Sequence, residues 1–316
     1  MYRIGVDLGG TNMAAGILDG SGHIIYKKSI KTRKHAAPEV LAEDMAKLID
    51  GMLLDCKIEK EQIELLGIGV PGSVAPGGIV EDANNIGFYN VPFGEMMTAH
   101  TGMQVHLVND ARAAAAGEYL AGAGKGSVTF QMLTIGTGIG GAYIVDGKVI
   151  GGCNGAAGEI GHMVIKKGGK PCNCGRRGCF EAYASASALR ERIRRRVLKE
   201  KDSLLWKHCA GKTSHLNAKA LFDCMEKQDA LALKLFEEYI ENLSEGIADV
   251  INLLQPEVLC IGGGMSEQKE KLLAPLRMAV ADKIYSRHST VQTRIVAAEL
   301  GNDAGIIGAA FPAKEQ

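Results

Sequence analysis

The sequence predicts an α/β layer fold, duplicated into two lobes with a cleft between them. Three observations predict it. Short runs of strand character alternate with helix-length amphipathic stretches, the pattern of sheets covered by helices. A unit of strand, Gly/Thr turn, strand and hairpin occurs in the first half of the chain and again in the second. The length of 316 residues exceeds what one hydrophobic core usually organises, and 46% hydrophobic content is enough for two.

The elements follow in order. Tyr2 to Asp7, Asn12 to Leu18 and His23 to Lys31 alternate as strands, broken at Gly9-Gly10 and at Asp19-Gly20. Pro38 then opens a helix through Cys56, with Val40, Leu41, Met45, Leu48, Ile49 and Met52 on one face. Leu65 to Val70 and Val105 to Val108 read as buried strands, and Ala111 to Ala121 as a helix. Ser185 to Lys199 and Asp229 to Leu254 are helical, the latter stopped by Pro256. Val258 to Ile261 forms a strand running into Gly262-Gly263-Gly264, and Ala304 to Ala313 a last helix. The expected small lobe covers residues 1–115 and is completed by the C-terminal helix 302–316. The expected large lobe covers 116–301 and carries a cysteine-rich loop.

The repeat is the most informative feature. Asp7-Leu8-Gly9-Gly10-Thr11 leads through a strand to Asp19-Gly20, and Thr134-Ile135-Gly136-Thr137-Gly138 leads likewise to Asp146-Gly147, about ten residues on in each copy. Two such turns facing one another would hold a polyphosphate, because glycines let backbone N–H groups approach phosphate oxygens and threonine adds a hydroxyl donor. A pair of ordinary glycine hairpins is the alternative. Neither turn is a Walker motif, since no Gly-Lys-Ser/Thr follows.

Lys plus Arg and Asp plus Glu number 36 each, so no net field favours nucleic acid or an anionic membrane, and a small ligand is expected. The strand pattern begins at once, leaving no room for a signal peptide, and no apolar run approaches a membrane span. A cytoplasmic protein is therefore expected. Arg190, Arg192, Arg194, Arg195 and Arg196 overlie Leu189, Ile193 and Val197 at helical spacing, so they read as a solvated helix face.

Asn109-Asp110 ends a strand and precedes a helix, where open α/β sheets place ligands. Asp110 could serve as the base that phosphoryl transfer to an alcohol requires, or as a helix N-cap. Glu159 and His162, in Gly158-Glu159-Ile160-Gly161-His162, could meet sugar hydroxyls. His162 with Cys172, Cys174 and Cys179 has the ligand set of a closed, structural zinc site. Glu181 follows the last of these cysteines and would be held by the same loop, whereas Cys56, Cys153, Cys209, Cys224 and Cys260 read as reduced thiols.

Together these motifs resemble the ROK family of bacterial sugar kinases and repressors, within the actin-like ATPase (ribonuclease H-like) superfamily. The Cys-x-Cys-Gly-x-x-Gly-Cys-x-Glu run after Glu-x-Gly-His carries the likeness most specifically. The resemblance implies ATP with Mg²⁺ and a hexose as substrates, glucose first, with N-acetylmannosamine or N-acetylglucosamine as alternatives. It places Gly9, Gly10, Thr11 and Asn12 in one phosphate loop, Gly136, Thr137 and Gly138 in the other, and Gly262, Gly263 and Gly264 at the adenosine. Gly72, Asn85, Asn109, Asp110, Glu159, His162 and Glu181 would line the sugar site, with Asp110 as base. A homodimer or homotetramer is implied. The family's repressors carry a DNA-binding domain ahead of the first phosphate loop, so DNA binding is not expected. A non-catalytic sugar sensor is the reading from another class, and intact phosphate loops with Asp110 argue against it. This chain departs from the family pattern at Arg112, where an asparagine is usual, and at Ala75, where an aspartate is common.

Overall fold

The computed structural model describes residues 1–34, 36–153, 155–209, 211–213 and 216–315, apart from the side chains of Lys314 and Glu315. The chain opens with β1 (Tyr2–Leu8), β2 (Asn12–Leu18) and β3 (Ile24–Lys31), an antiparallel meander. Helix α1 (Pro38–Cys56) has proline in its first turn, where the missing N–H is no loss, and ends on Lys57 in the left-handed conformation. Strand β4 (Ile63–Val70) lies parallel to β1. Three short strands, β5 (Ser73–Ala75), β6 (Ile79–Ala83) and β7 (Phe88–Val91), form a separate antiparallel sheet that the sequence pattern does not announce. Helix α2 (Phe93–Thr101), strand β8 (Val105–Asn109) and helix α3 (Asp110–Ala121) follow. The first sheet has the order β3-β2-β1-β4-β8.

The second copy begins with β9 (Thr129–Ile135), β10 (Ile139–Val145) and β11 (Lys148–Val149). It repeats the strand, turn, strand and hairpin of the first, but its third strand is only two residues long. Helices α4 (Glu181–Ala184), α5 (Ala186–Val197), α6 (Leu204–Cys209), α7 (Ala218–Glu226) and α8 (Ala230–Leu254) come next. The chain closes with β12 (Val258–Gly262), α9 (Glu270–Ala281), β13 (Arg294–Ala297), α10 (Asp303–Ala310) and β14 (Lys314–Glu315). The second sheet has the order β13-β12-β9-β10-β11-β14.

Two compact units result. One comprises 1–132, 142–158 and 299–316, and the other 133–141 and 159–298. In the first, Leu41, Met45, Leu48, Ile49 and Met52 of α1 are buried against Ile4, Val6 and Leu8 of β1, as the helical spacing predicts. Helix α10 packs against the same sheet so closely that a Cβ on Gly67 would lie 1.7 Å from Ala309 O, and one on Gly308 would lie 1.7 Å from Ala113 O of α3. Only glycine fits either place. Buried Glu118 ties the two helices together, accepting the N–H groups of Ala123, Glu299 and Leu300 at 2.9, 3.1 and 2.8 Å.

The core of the second unit forms around α8, where Leu235, Tyr239, Leu243 and Ile247 are fully buried. Leu189, Ile193 and Val197 of α5 join it, so the periodicity under the arginine run is real. Arg192 departs from the solvated face, since it turns back and donates to Tyr183 O at 3.0 Å. Among the described residues every cysteine is a free thiol, and no helix is long and apolar enough to cross a membrane.

Candidate active site

The first unit carries Gly9, Gly10, Thr11, Asn12, Gly72, Asn85, Asn109 and Asp110. Strand β1 delivers Asp7 to the turn, which is closed by the Gly9 N–H donating to Asn12 O at 3.0 Å. Thr32, at the end of β3, braces it. Its hydroxyl donates to Gly9 O at 2.7 Å and its N–H to Thr11 O at 2.9 Å. Gly10 sits against the backbone of Asn85, where a Cβ would meet the Asn85 oxygen at 3.1 Å. Asp7 is largely buried, and that burial pushes its carboxyl above the ordinary value. Among the described residues the carboxylate has neither an ion-pair nor a hydrogen-bond partner.

Strand β8 pairs in parallel with β4, which sets Asn109 beside Val70 and the following turn. Asn109 acts in two directions. Its Oδ1 accepts the Arg112 N–H at 3.1 Å, capping α3, while its Nδ2 donates to Gly72 O at 2.9 Å and to Asp110 Oδ1 at 3.2 Å. The cap on α3 is thus Asn109, and Asp110 is the first residue of the helix proper. Asp110 Oδ1 also accepts the Ala111 N–H at 2.8 Å. The carboxylate is thus oriented at the N-terminal end of α3.

Arg112, the departure from the family pattern, is buried with 8% exposure. Its Nη2 donates to Gly155 O at 2.6 Å, and Ala157 O and Gly151 O lie at 3.4 and 3.5 Å. The guanidinium therefore pins the loop that leads into Glu159.

The second unit carries Gly136, Thr137, Gly138, Glu159, His162, the three cysteines, Glu181 and Gly262 to Gly264. The Gly136 N–H donates to Gly138 O and the Ala186 N–H to Gly136 O, both at 3.0 Å. Glu181 opens α4 and its Oε2 accepts the Ile139 N–H at 2.9 Å. A Cβ on Gly138 would lie 2.2 Å from that oxygen, so the glycine turn and the carboxylate require one another. Gly263 has φ +78° and stands against β9, where a Cβ would meet Ile135 O at 2.4 Å. Gly263 is therefore packed at the base of the second turn, whereas Gly264 stands in open space.

His162, Cys172, Cys174 and Cys179 converge, with one ligand atom from each lying within 4.8 Å of all the others. Cys172 Sγ is 3.7 Å from His162 Nδ1, and Cys174 Sγ is 3.7 Å from Cys179 Sγ. Burial first, then the neighbouring thiols, push the Cys179 thiol up to about 12. Burial also raises Cys172, while the Arg176 N–H lowers Cys174. Thiols crowded in this way ionise together only around a cation. With Nδ1 facing the sulfurs, His162 turns Nε2 outward, 4.0 Å from Glu159 Oε2. Glu181 Oε1 lies 3.8 Å from Cys172 Sγ, so the cysteine loop, a histidine and two carboxylates share one neighbourhood.

Sequence reasoning missed two residues. Asp7 was legible as a carboxylate at a strand end just before Gly-Gly-Thr, but its isolation from partners was not. Arg112 stood out only as a departure, because the carbonyls of Gly151, Gly155 and Ala157 that it meets lie about forty residues on in sequence.

Comparison with known proteins places this chemistry. The profile of the ROK family matches residues 3–316. The glucokinase of Thermotoga maritima is 38% identical, over 99% of this chain and 97% of its own length. The structure of a ROK family glucokinase from Streptomyces griseus in complex with glucose and AMPPNP is 32% identical, has a TM-score of 0.85, and matches over 99% of both chains. The ROK hexokinase of Thermus thermophilus is 30% identical with a TM-score of 0.82, over 99% of this chain and 98% of its own. These are actin-like ATPase folds, and the meander, parallel strands and second copy described above reproduce that plan. With the family profile matched along nearly its whole length and the same architecture in solved members, the chain belongs to the ROK family.

Proposed function

We propose that this protein transfers the γ-phosphoryl group of ATP to a hexose hydroxyl, with glucose as the sugar and Asp110 as the general base. The observation that carries the base assignment is the division of labour between Asn109 and Asp110. Asn109 caps the helix, so the capping need does not account for Asp110, whose carboxylate is oriented at the strand end instead. In the reaction, the Asp110 carboxylate takes the proton of the sugar hydroxyl as its oxygen attacks the γ-phosphorus. The bond to the bridging oxygen breaks and ADP leaves.

The two glycine turns would hold the phosphates, and Gly262 to Gly264 would pack against the adenosine. Magnesium, when bound, neutralises charge on the transferring phosphates. Asp7 suits it, being a desolvated carboxylate beside the first turn without a counter-charge among the described residues. Gly72, Asn85, Asn109, Glu159, His162 and Glu181 would face the sugar. The four-ligand cluster would hold zinc as a closed, structural site. Zinc–sulfur bonds of about 2.3 Å give tetrahedral sulfur–sulfur edges of about 3.8 Å, close to the 3.7 Å between Cys174 and Cys179.

The direct test is Asp110→Asn, which keeps the size and one acceptor but removes the base. Turnover at saturating glucose should fall by about 10²-fold or more while sugar affinity changes far less. A variant with near-full kcat in an ADP-release assay would remove Asp110 from the base role.

A further inference from the structure

The run Lys166-Lys167-Gly168-Gly169-Lys170 has no part in the reaction proposed above, yet it forms a defined structure. It forms a turn closed by the Gly169 N–H donating to Lys166 O at 2.9 Å, with Gly168 at φ +68°. Both ends are stitched to Gly178 at the end of the cysteine loop. The Lys166 N–H donates to Gly178 O at 3.2 Å, and the Gly178 N–H to Lys170 O at 2.8 Å. Tyr183 of α4 seats the turn, its hydroxyl accepting the Lys170 N–H at 2.7 Å. A Cβ on Gly169 would lie 2.0 Å from that hydroxyl, so the tyrosine fills the space that glycine leaves.

This construction brings two ammonium groups to one ring and a guanidinium to the backbone of the same residue. Lys170 Nζ is 4.9 Å and Lys166 Nζ 5.9 Å from the centre of the Tyr183 ring, and Arg192 of α5 donates through Nη2 to Tyr183 O. The other arginine nitrogen, Nη1, is buried without a hydrogen-bond partner. Among the described residues neither lysine has an ion-pair partner. Glu238 is the carboxylate that acts on both Lys170 and Arg192, and it is engaged by Arg196 at 3.2 Å. Arg195, which also faces Lys170, is paired with Glu191 at 2.7 Å. Two ammonium groups without ion-pair partners, gathered on the same residue as an arginine with an unused N–H, form an arrangement that an anion completes.

We propose that Lys166, Lys170 and Arg192 form a binding site for a phosphate group, separate from the nucleotide turns. A dianionic phosphate would meet both ammonium groups and offer an acceptor to Arg192 Nη1. The turn joins the cysteine loop at Gly178, and Tyr183 lies two residues beyond Glu181. Occupancy would therefore brace the elements that carry the candidate zinc ligands and Glu181.

The test uses the full, zinc-loaded chain with its nucleotide site filled by AMPPNP and magnesium, so that free phosphate cannot occupy the turns. Inorganic phosphate is titrated calorimetrically at constant ionic strength. The wild type should bind one phosphate at the added site. Lys170→Gln should weaken it by about tenfold or more, whereas Lys167→Gln, which removes the same charge from the same turn, should weaken it less than about twofold. Lys170→Arg should restore binding, and metal content would verify that the loop is intact. No binding by the wild type up to 20 mM phosphate, roughly the weakest affinity that a local site rather than the ionic atmosphere would show, overturns the proposal. So does equal weakening by the Lys170 and Lys167 variants. Phenyl phosphate distinguishes the source of the ligand: tighter binding than inorganic phosphate assigns the site to a phosphate ester, and weaker binding to the free ion.

Discussion

Replacing Arg112 with Met tests whether the loop before Glu159 must be pinned for sugar to bind. Methionine keeps much of the length and the apolar stem but has no donor, so the change removes hydrogen bonds without opening a large cavity. The Gly155 contact, at 2.6 Å and charge-assisted, is worth about 1.5–3 kcal/mol. Those at 3.4 and 3.5 Å add little. If this order is what presents Glu159 to the sugar, the loss translates into a rise of about 10- to 100-fold in the KM for glucose. The KM for ATP should move less than about threefold, because the carbonyl that Arg112 meets most closely, Gly155 O, lies in the loop before Glu159 and not in a glycine turn. Arg112→Lys retains one charged donor and should recover part of the loss. Steady-state kinetics with each substrate varied in turn separates the effects. A variant whose glucose KM is unchanged, or whose two KM values rise together, would show that the guanidinium braces the fold generally and does not position the sugar loop.

Changing Cys174 to Ser should release the metal and nearly abolish sugar phosphorylation while nucleotide binding survives; metal analysis with glucose and nucleotide titrations checks this, and a fully active, zinc-free variant would contradict it. Glucose should exceed N-acetylmannosamine in kcat/KM by about 10²-fold, since a site that pairs its polar groups with a hydroxyl leaves them unpaired against an N-acetyl group; the opposite order in a substrate screen would favour the amino-sugar reading. Asp7→Asn should make the nucleotide-free protein melt higher at pH 7 while lowering magnesium-dependent turnover. The sign follows from the raised folded-state carboxyl: stability falls as pH rises above 3.8 towards the folded value and stays lowered beyond it, so the advantage of the variant should disappear in acid.

Much of the architecture was written in local pattern. The meander of β1 to β3, the amphipathic face of α1, the long α8 stopped before Pro256, and the recurrence of strand, turn and hairpin all depend on residues near one another in the chain. So does the spacing of Cys172, Cys174 and Cys179 behind His162, because metal ligation constrains a short loop. The sheet of β5 to β7 escaped because its strands span three to five residues and mix exposed with buried positions, too short a run for a period to emerge. Asp110 was recognisable as base or cap, and only the packed structure shows that Asn109 Oδ1 takes the Arg112 N–H and caps α3. Burial and charge are sums over neighbours that the chain brings from far away. For that reason the isolation of Asp7, the three carbonyls under Arg112 and the gathering of Lys166, Lys170 and Arg192 around Tyr183 exist only once the layers have packed.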